Sequence, residues 1–256
     1  MEAVLLTALG VGGATVIGAL LGLFFKNPTH KLNDIILSFA AGVMLAAAVM
    51  GLIIPSLEYG EGGKWSLLVT IAGVFCGAVC LNLIDKLVPH LHKITGIGVA
   101  EEAHPNSSAR LDKVLLFVIA IAIHNLPEGI AAGVSFGSGD ISQAITVAGG
   151  IALQNIPEGM IIISPMIAGG MSKGRTFLIA AMTGVVEVIG TFIGYFAVSI
   201  STAILPFALA FAGGTMLYVI SDEMIPETHA HGNERESTYA LLVGFCVMLV
   251  FDVLLG

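Results

Sequence analysis

Apolar residues run along most of this chain in blocks of about twenty, separated by short polar stretches. A block of roughly 20 such residues is what spans a hydrocarbon core of ~30 Å. The pattern predicts helices near residues 3–25, 34–58, 65–88, 111–136, 143–168, 175–198, 204–226 and 237–255. The stretch 175–226 is almost unbroken but too long for one crossing. Ser199, Ser201, Thr202 and Pro206 supply turn chemistry and divide it. The expectation is an all-α membrane protein with eight transmembrane helices, a single transmembrane domain over residues 1–256. Met1-Glu2-Ala3 lacks the basic start of a signal peptide, so the first block reads as a retained helix.

Composition agrees. Hydrophobic residues make up 56% of the 256 and charged residues 11%, against about 25% charged in a soluble domain. Too few charges remain to dress a surface facing water, and the solvent is the lipid bilayer. A net charge of −8 argues against nucleic acid as a partner. Cys76, Cys80 and Cys246 all fall in apolar blocks and form neither a disulfide framework nor a CxxC pair.

The cations orient the helices. Lys26, Lys31, Lys86, Lys93, Arg110, Lys113, Lys173, Arg175 and Arg235 fall on one side, and only Lys64 on the other. That side is expected to be cytoplasmic, with both termini extracytoplasmic. The longest polar loop, about 89–110, carries His90, His92, His104, Glu101 and Glu102. Glu227, His229, His231, Glu234 and Glu236 precede helix 8, and His30 follows helix 1. These histidines are either ordinary solvated loop residues or a weak metal-collecting inner surface, since imidazole and carboxylate suit zinc-like ions.

Two internal echoes stand out. HNLPEG (His124–Gly129) is answered by QNIPEG (Gln154–Gly159) in the next helix. FAAGVML (Phe39–Leu45) with a later Ile54-Pro55 is answered by FAGGTML (Phe211–Leu217) with a later Ile225-Pro226. In both cases the paired helices run in opposite directions. Related sequence in opposed helices marks an inverted-topology repeat, which in transporters puts the substrate site at the repeat interface near the midplane.

Glu128, Glu158, Glu187 and His124 lie near the middle of helices 4, 5 and 6. A charge at the bilayer centre costs at least ~2.5–3.5 kcal/mol, so such residues face a cavity or a partner. No lysine or arginine is predicted at that depth. A bound cation or protons must offset the carboxylates. His124 and Glu128 stand at i, i+4 on one helix face, as do Gln154 and Glu158. Asn125 and Asn155 can add amide oxygens. Pro127 and Pro157 leave the carbonyls of Ile123 and Leu153 without their usual partners. Imidazole with carboxylates suits zinc and its neighbours, whereas magnesium and calcium sites use oxygen alone.

At HNLPEG and QNIPEG the sequence resembles the ZIP (Zrt/Irt-like protein) family of metal transporters, and most closely its short-looped prokaryotic branch. The resemblance covers essentially the whole chain. It implies a 3+2+3 helix arrangement with metal held between helices 4 and 5. By matching position it implies a primary site of His124, Glu128, Gln154 and Glu158 with Met44 as a soft ligand. It implies a second site of Asn125, Glu128, Asn155, Glu158 and Glu187, bridged by Glu128 and Glu158. Glu223, beside Asp222, would match an inner-side release residue. The chain departs from the family in two places: many members carry histidine where Gln154 stands, and some two-metal relatives carry aspartate where Asn155 stands.

The expected function is therefore uptake of a divalent transition metal, zinc first, with Cd²⁺, Fe²⁺, Mn²⁺ and Co²⁺ as co-substrates. The metal is cargo; no cofactor and no enzymatic activity are expected, and the expected location is a bacterial inner membrane. An exporter or channel of the same fold stays open. An intramembrane metal-dependent hydrolase is the rival from another class, disfavoured because there is no HExxH and no second membrane-embedded histidine. Glycine-rich helices would allow a homodimer, though no particular face argues for one.

Overall fold

The computed structural model describes residues 1–24, 29–59, 63–87, 107–168 and 170–255. The described residues form eight long helical stretches: α1 (Glu2–Gly22), α2 (His30–Glu58), α3 (Gly63–Leu87), α4 (Ser107–Gly137), α5 (Ile141–Ala168), α6 (Lys173–Ile200), α7 (Leu205–Thr228) and α8 (Glu234–Leu255). Seven of them, all but α4, are long and apolar enough to cross a membrane by length and composition. The break expected within Ser199–Pro206 lies between α6 and α7, where Thr202–Ile204 form one tight turn and Pro206 starts the next helix.

Two boundaries differ from the hydropathy pattern. Helix α2 begins at His30 rather than near 34, because Thr29 caps it: the Leu32 amide donates to Thr29 Oγ1 at 3.2 Å. Helix α4 begins at Ser107, inside the stretch expected to be loop. His90, His92, His104, Glu101, Glu102, Lys26 and Lys93 lie outside the described residues.

The surface is apolar and the interior holds the polar groups. Phe75, Leu178, Ile193 and Val253 are exposed, whereas Glu128, Gln154 and Glu187 are fully buried. That arrangement suits lipid, where outward apolar side chains carry no penalty and polar groups must find partners inside.

The long-range echo is structural as well as sequential. Each copy contains a widened π-helical turn just before its Ile-Pro pair: Ala47–Ile53 in α2 and Ile220–Met224 in α7. Proline cannot donate to the carbonyl four residues back and crowds it, and a widened turn relieves that crowding. Glycine at the matching position lets each copy meet a partner backbone directly. A Cβ at Gly42 would overlap the Leu241 carbonyl oxygen of α8, and one at Gly214 the Val74 carbonyl oxygen of α3. So α2 packs on α8 as α7 packs on α3. Helix α4 packs most tightly on α6, and α1 on α5 and α6. The bundle thus has two closely packed sets, α1–α4–α5–α6 and α2–α3–α7–α8.

Candidate metal site between helices 4 and 5

The PEG motifs face each other across α4 and α5. On α4, His124 Nε2 lies 3.3 Å from Glu128 Oε1; on α5, Glu158 Oε2 lies 3.7 Å from the same nitrogen. His124, Glu128 and Glu158 can each offer one ligand atom within 4.8 Å of the others. Gln154 joins them by donating from Nε2 to Glu128 Oε1 at 2.8 Å. His124 Nδ1 reaches Glu223 Oε2 of α7 at 3.5 Å. The π turn explains that reach: Glu223 lies within it, and each added residue rotates the rest of the helix by about 100°.

Side-chain exposure rises in one direction, from 1% for Glu128 through 12% for Glu158 and 13% for His124 to 37% for Glu223. The Glu128–Gln154 side is closed and the Glu223 side is open. Among the described residues, no lysine or arginine pairs with Glu128, Glu158 or Glu187. Buried atoms with no hydrogen-bond partner gather here: His124 Nε2, Glu128 Oε2, Gln154 Oε1 and Glu158 Oε1. Glu128 Oε2, Gln154 Oε1 and Glu158 Oε1 are lone-pair acceptors. That donor set asks for a cation.

Glu187, Asn125 and Asn155 do not enter this cluster. Asn125 Nδ2 donates to Glu187 Oε1 and Asn155 Nδ2 to Glu187 Oε2, each at 2.6 Å. Thr15 Oγ1 adds a third donor to Oε1 at 2.6 Å. The residues expected to share a second metal with Glu128 and Glu158 instead form a hydrogen-bonded knot joining α1, α4, α5 and α6. Met44 is fully buried in the core cluster that also holds Ala131 of α4 and Ile151 of α5. Sequence reading missed Thr15, since a threonine in a glycine-rich helix carries no distinguishing signal. Thr15→Val is expected to lower stability by about 1–2 kcal/mol, read by thermal melting in detergent, while Thr15→Ser retains the wild-type value.

The motif glycines let the knot close. A Cβ at Gly129 would overlap the Glu187 carbonyl oxygen, and one at Gly159 the Thr15 carbonyl oxygen. The two PEG motifs therefore dock on α6 and α1 in matching fashion.

Residues 100–252 match the family described as ZIP Zinc transporter. The chain belongs to that family. It is 40% identical to the zinc transporter GufA of Myxococcus xanthus, with 100% of both chains covered. It is 37% identical to the zinc transporter ZIPB of Bordetella bronchiseptica, covering 95% of this chain and 78% of that one. With the zinc transporter ZupT of Chlorobium chlorochromatii the identity is 32%, over 93% and 92% of the two chains. As a ZIP protein it is an integral, multi-pass transporter rather than an enzyme, and the hydrolase reading falls.

Proposed function

We propose that this ZIP protein takes zinc into the cytoplasm through a site made by His124, Glu128 and Glu158 between α4 and α5. The observation that carries the reading is the convergence of one imidazole and two carboxylates, with unpaired buried acceptor atoms and, among the described residues, no lysine or arginine beside them. Gln154 orients Glu128, and Met44 completes the primary set as a soft ligand. Glu223, more exposed and linked to His124, passes the ion on. All eight helices cross the membrane in a 3+2+3 arrangement within one domain. Both termini face outside, as the cation distribution supports. The membrane is a bacterial inner membrane, and Cd²⁺, Fe²⁺, Mn²⁺ and Co²⁺ are co-substrates. The second set, with Asn125, Asn155 and Glu187, requires the Glu187 knot to open before a second ion could use it.

Alternating access would move the set containing both PEG motifs against the other as a rigid body. Packing supports this division. Within each set most of the close glycine contacts are to backbone carbonyls, as at Gly18, Gly129, Gly42 and Gly214; between sets, Gly51 faces the Val147 side chain and Gly150 the Met248 side chain. Flexible side chains at an interface can re-pack as helices slide, which backbone contacts cannot.

Purified protein in liposomes loaded with a zinc-sensitive dye provides the test. Saturable influx supports the reading, and well-folded protein giving no influx under any applied ion gradient would refute it. Ligation needs a neutral imidazole and ionised carboxylates, so protons compete with zinc. Zinc affinity in detergent is expected to fall progressively from about pH 7 to about pH 5, measured by dye competition. An affinity independent of pH over that span would rule out this donor set.

A further inference from the structure

At the end of the bundle where Glu223 lies, a second group of histidines has a definite construction. His30 opens α2, Asp34 follows one turn later on the same face, and His231 and Asn233 belong to the connection between α7 and α8. Asp34 is only 3% exposed. Both its oxygens are engaged: His231 Nδ1 donates to Oδ1 at 3.0 Å and Asn233 Nδ2 to Oδ2 at 2.8 Å. A carboxylate only accepts, so the Nδ1 of His231 carries the proton and its Nε2 keeps a free lone pair. Among the described residues Nε2 has no polar partner. The exposed His30 ring stacks on the His231 ring, with centroids 4.6 Å apart and planes at 26°. Beside them Lys31 Nζ pairs with Glu236 Oε1 at 2.5 Å, which neutralises the adjacent ammonium and ties the start of α2 to the start of α8.

A buried carboxylate that fixes an imidazole's tautomer and orientation is the usual outer partner of a metal-binding histidine. A purely structural staple would account for Asp34, His231 and Asn233. It would leave His30 stacked, exposed and without a role. The lone pairs of stacked rings lie in nearly parallel planes, so shared ligation requires the exposed His30 ring to turn towards His231 Nε2. Two imidazoles brought together in that way offer the donor type preferred by zinc, copper and nickel ions.

We propose that His30 and His231 form a metal-accepting site at this end of the bundle, binding a zinc-like divalent ion through His231 Nε2 and a ring nitrogen of His30, with Asp34 as the orienting carboxylate. About 21 Å of helix rise separates His30 from Met44, so this site is distinct from the one between α4 and α5. With water as its remaining ligands, the ion would exchange readily, as an acceptor on an exit route requires.

Zinc titration of the full-length protein in detergent, read by competition with a dye, tests this. The background is Glu128→Ala with Glu158→Ala, which lacks the intramembrane carboxylates. Adding His30→Ala and His231→Ala is expected to remove a bound zinc equivalent. His30→Ala alone should weaken that equivalent at least about tenfold, and Asp34→Asn about 10–100-fold. Because His30 is exposed, its truncation leaves the packing intact, so a loss of binding there is not a loss of fold. Zinc stoichiometry and affinity unchanged by removing both histidines would overturn the proposal. Binding is read without vesicles, so its failure is distinct from a failure of transport.

Discussion

Glu128→Ala is expected to abolish saturable zinc uptake, lowering the rate at subsaturating zinc by more than ~100-fold, since altering even an orienting partner costs 10–100-fold. The Glu128 side chain is 1% exposed. One of its oxygens accepts from Gln154 and sits against His124, while the other is buried without a partner. Removing the carboxylate takes away one member of the three-group cluster, leaves Gln154 Nε2 without its acceptor and leaves His124 with only Glu158 and Glu223 beside it. Glu128→Gln separates charge from shape, because it fills the same volume and supplies an amide instead of an anion. It is expected to fail like alanine. Uptake at the wild-type rate in Glu128→Gln would show that this carboxylate is not a ligand. Glu158→Ala should behave as Glu128→Ala does, whereas Glu223→Ala, at a more exposed position, should slow transport without ending it.

Gly129→Ala is expected to be one of the most damaging single methyl additions in the protein, and one that reaches the site. The added Cβ would strike the Glu187 carbonyl oxygen, and the atoms nearest to it are all α6 backbone. Overpacking against side chains that can yield costs about 1–3 kcal/mol. Backbone cannot yield without moving the helix, so the cost here should reach or exceed the top of that range. At about 2–4 °C per kcal/mol for a chain of this size, the melting temperature should drop visibly or monodisperse protein should be lost. The damage should spread to the site, because Glu187 holds Asn125 and Asn155 at the same contact. Gly13→Ala, where nothing lies within 4 Å of the new Cβ, is the matched control. Equal melting temperatures for the two variants would refute the packing argument.

The site was legible because its residues violate the rule that governs everything around them. A glutamate beside a proline in an apolar helix is costly, and its repetition thirty residues on picked out α4 and α5 together. The Ile-Pro echo was likewise visible in letters. Its consequence, a widened turn that aims Glu223 at His124, was not, because a π turn arises from crowding between a proline and a specific carbonyl rather than from hydropathy. Thr15 and Asp34 were silent for a related reason. Each is an ordinary polar residue until the residue it meets, Glu187 or His231, is brought to it across 172 or 197 positions of chain.

By itself the sequence determined that the chain lives in lipid as a bundle of helices, and which charged side chains must share a buried space. Those conclusions depend on solvation costs, which each residue carries wherever the chain puts it. Only the tertiary structure decided how the buried polar residues divide: His124, Glu128 and Glu158 into a cluster suited to a cation, and Glu187 into a knot with Asn125, Asn155 and Thr15. A carboxylate needs either a cation or several donors. Which it receives depends on which helices lie within about 3 Å, and that is set by glycine contacts between segments far apart in the chain.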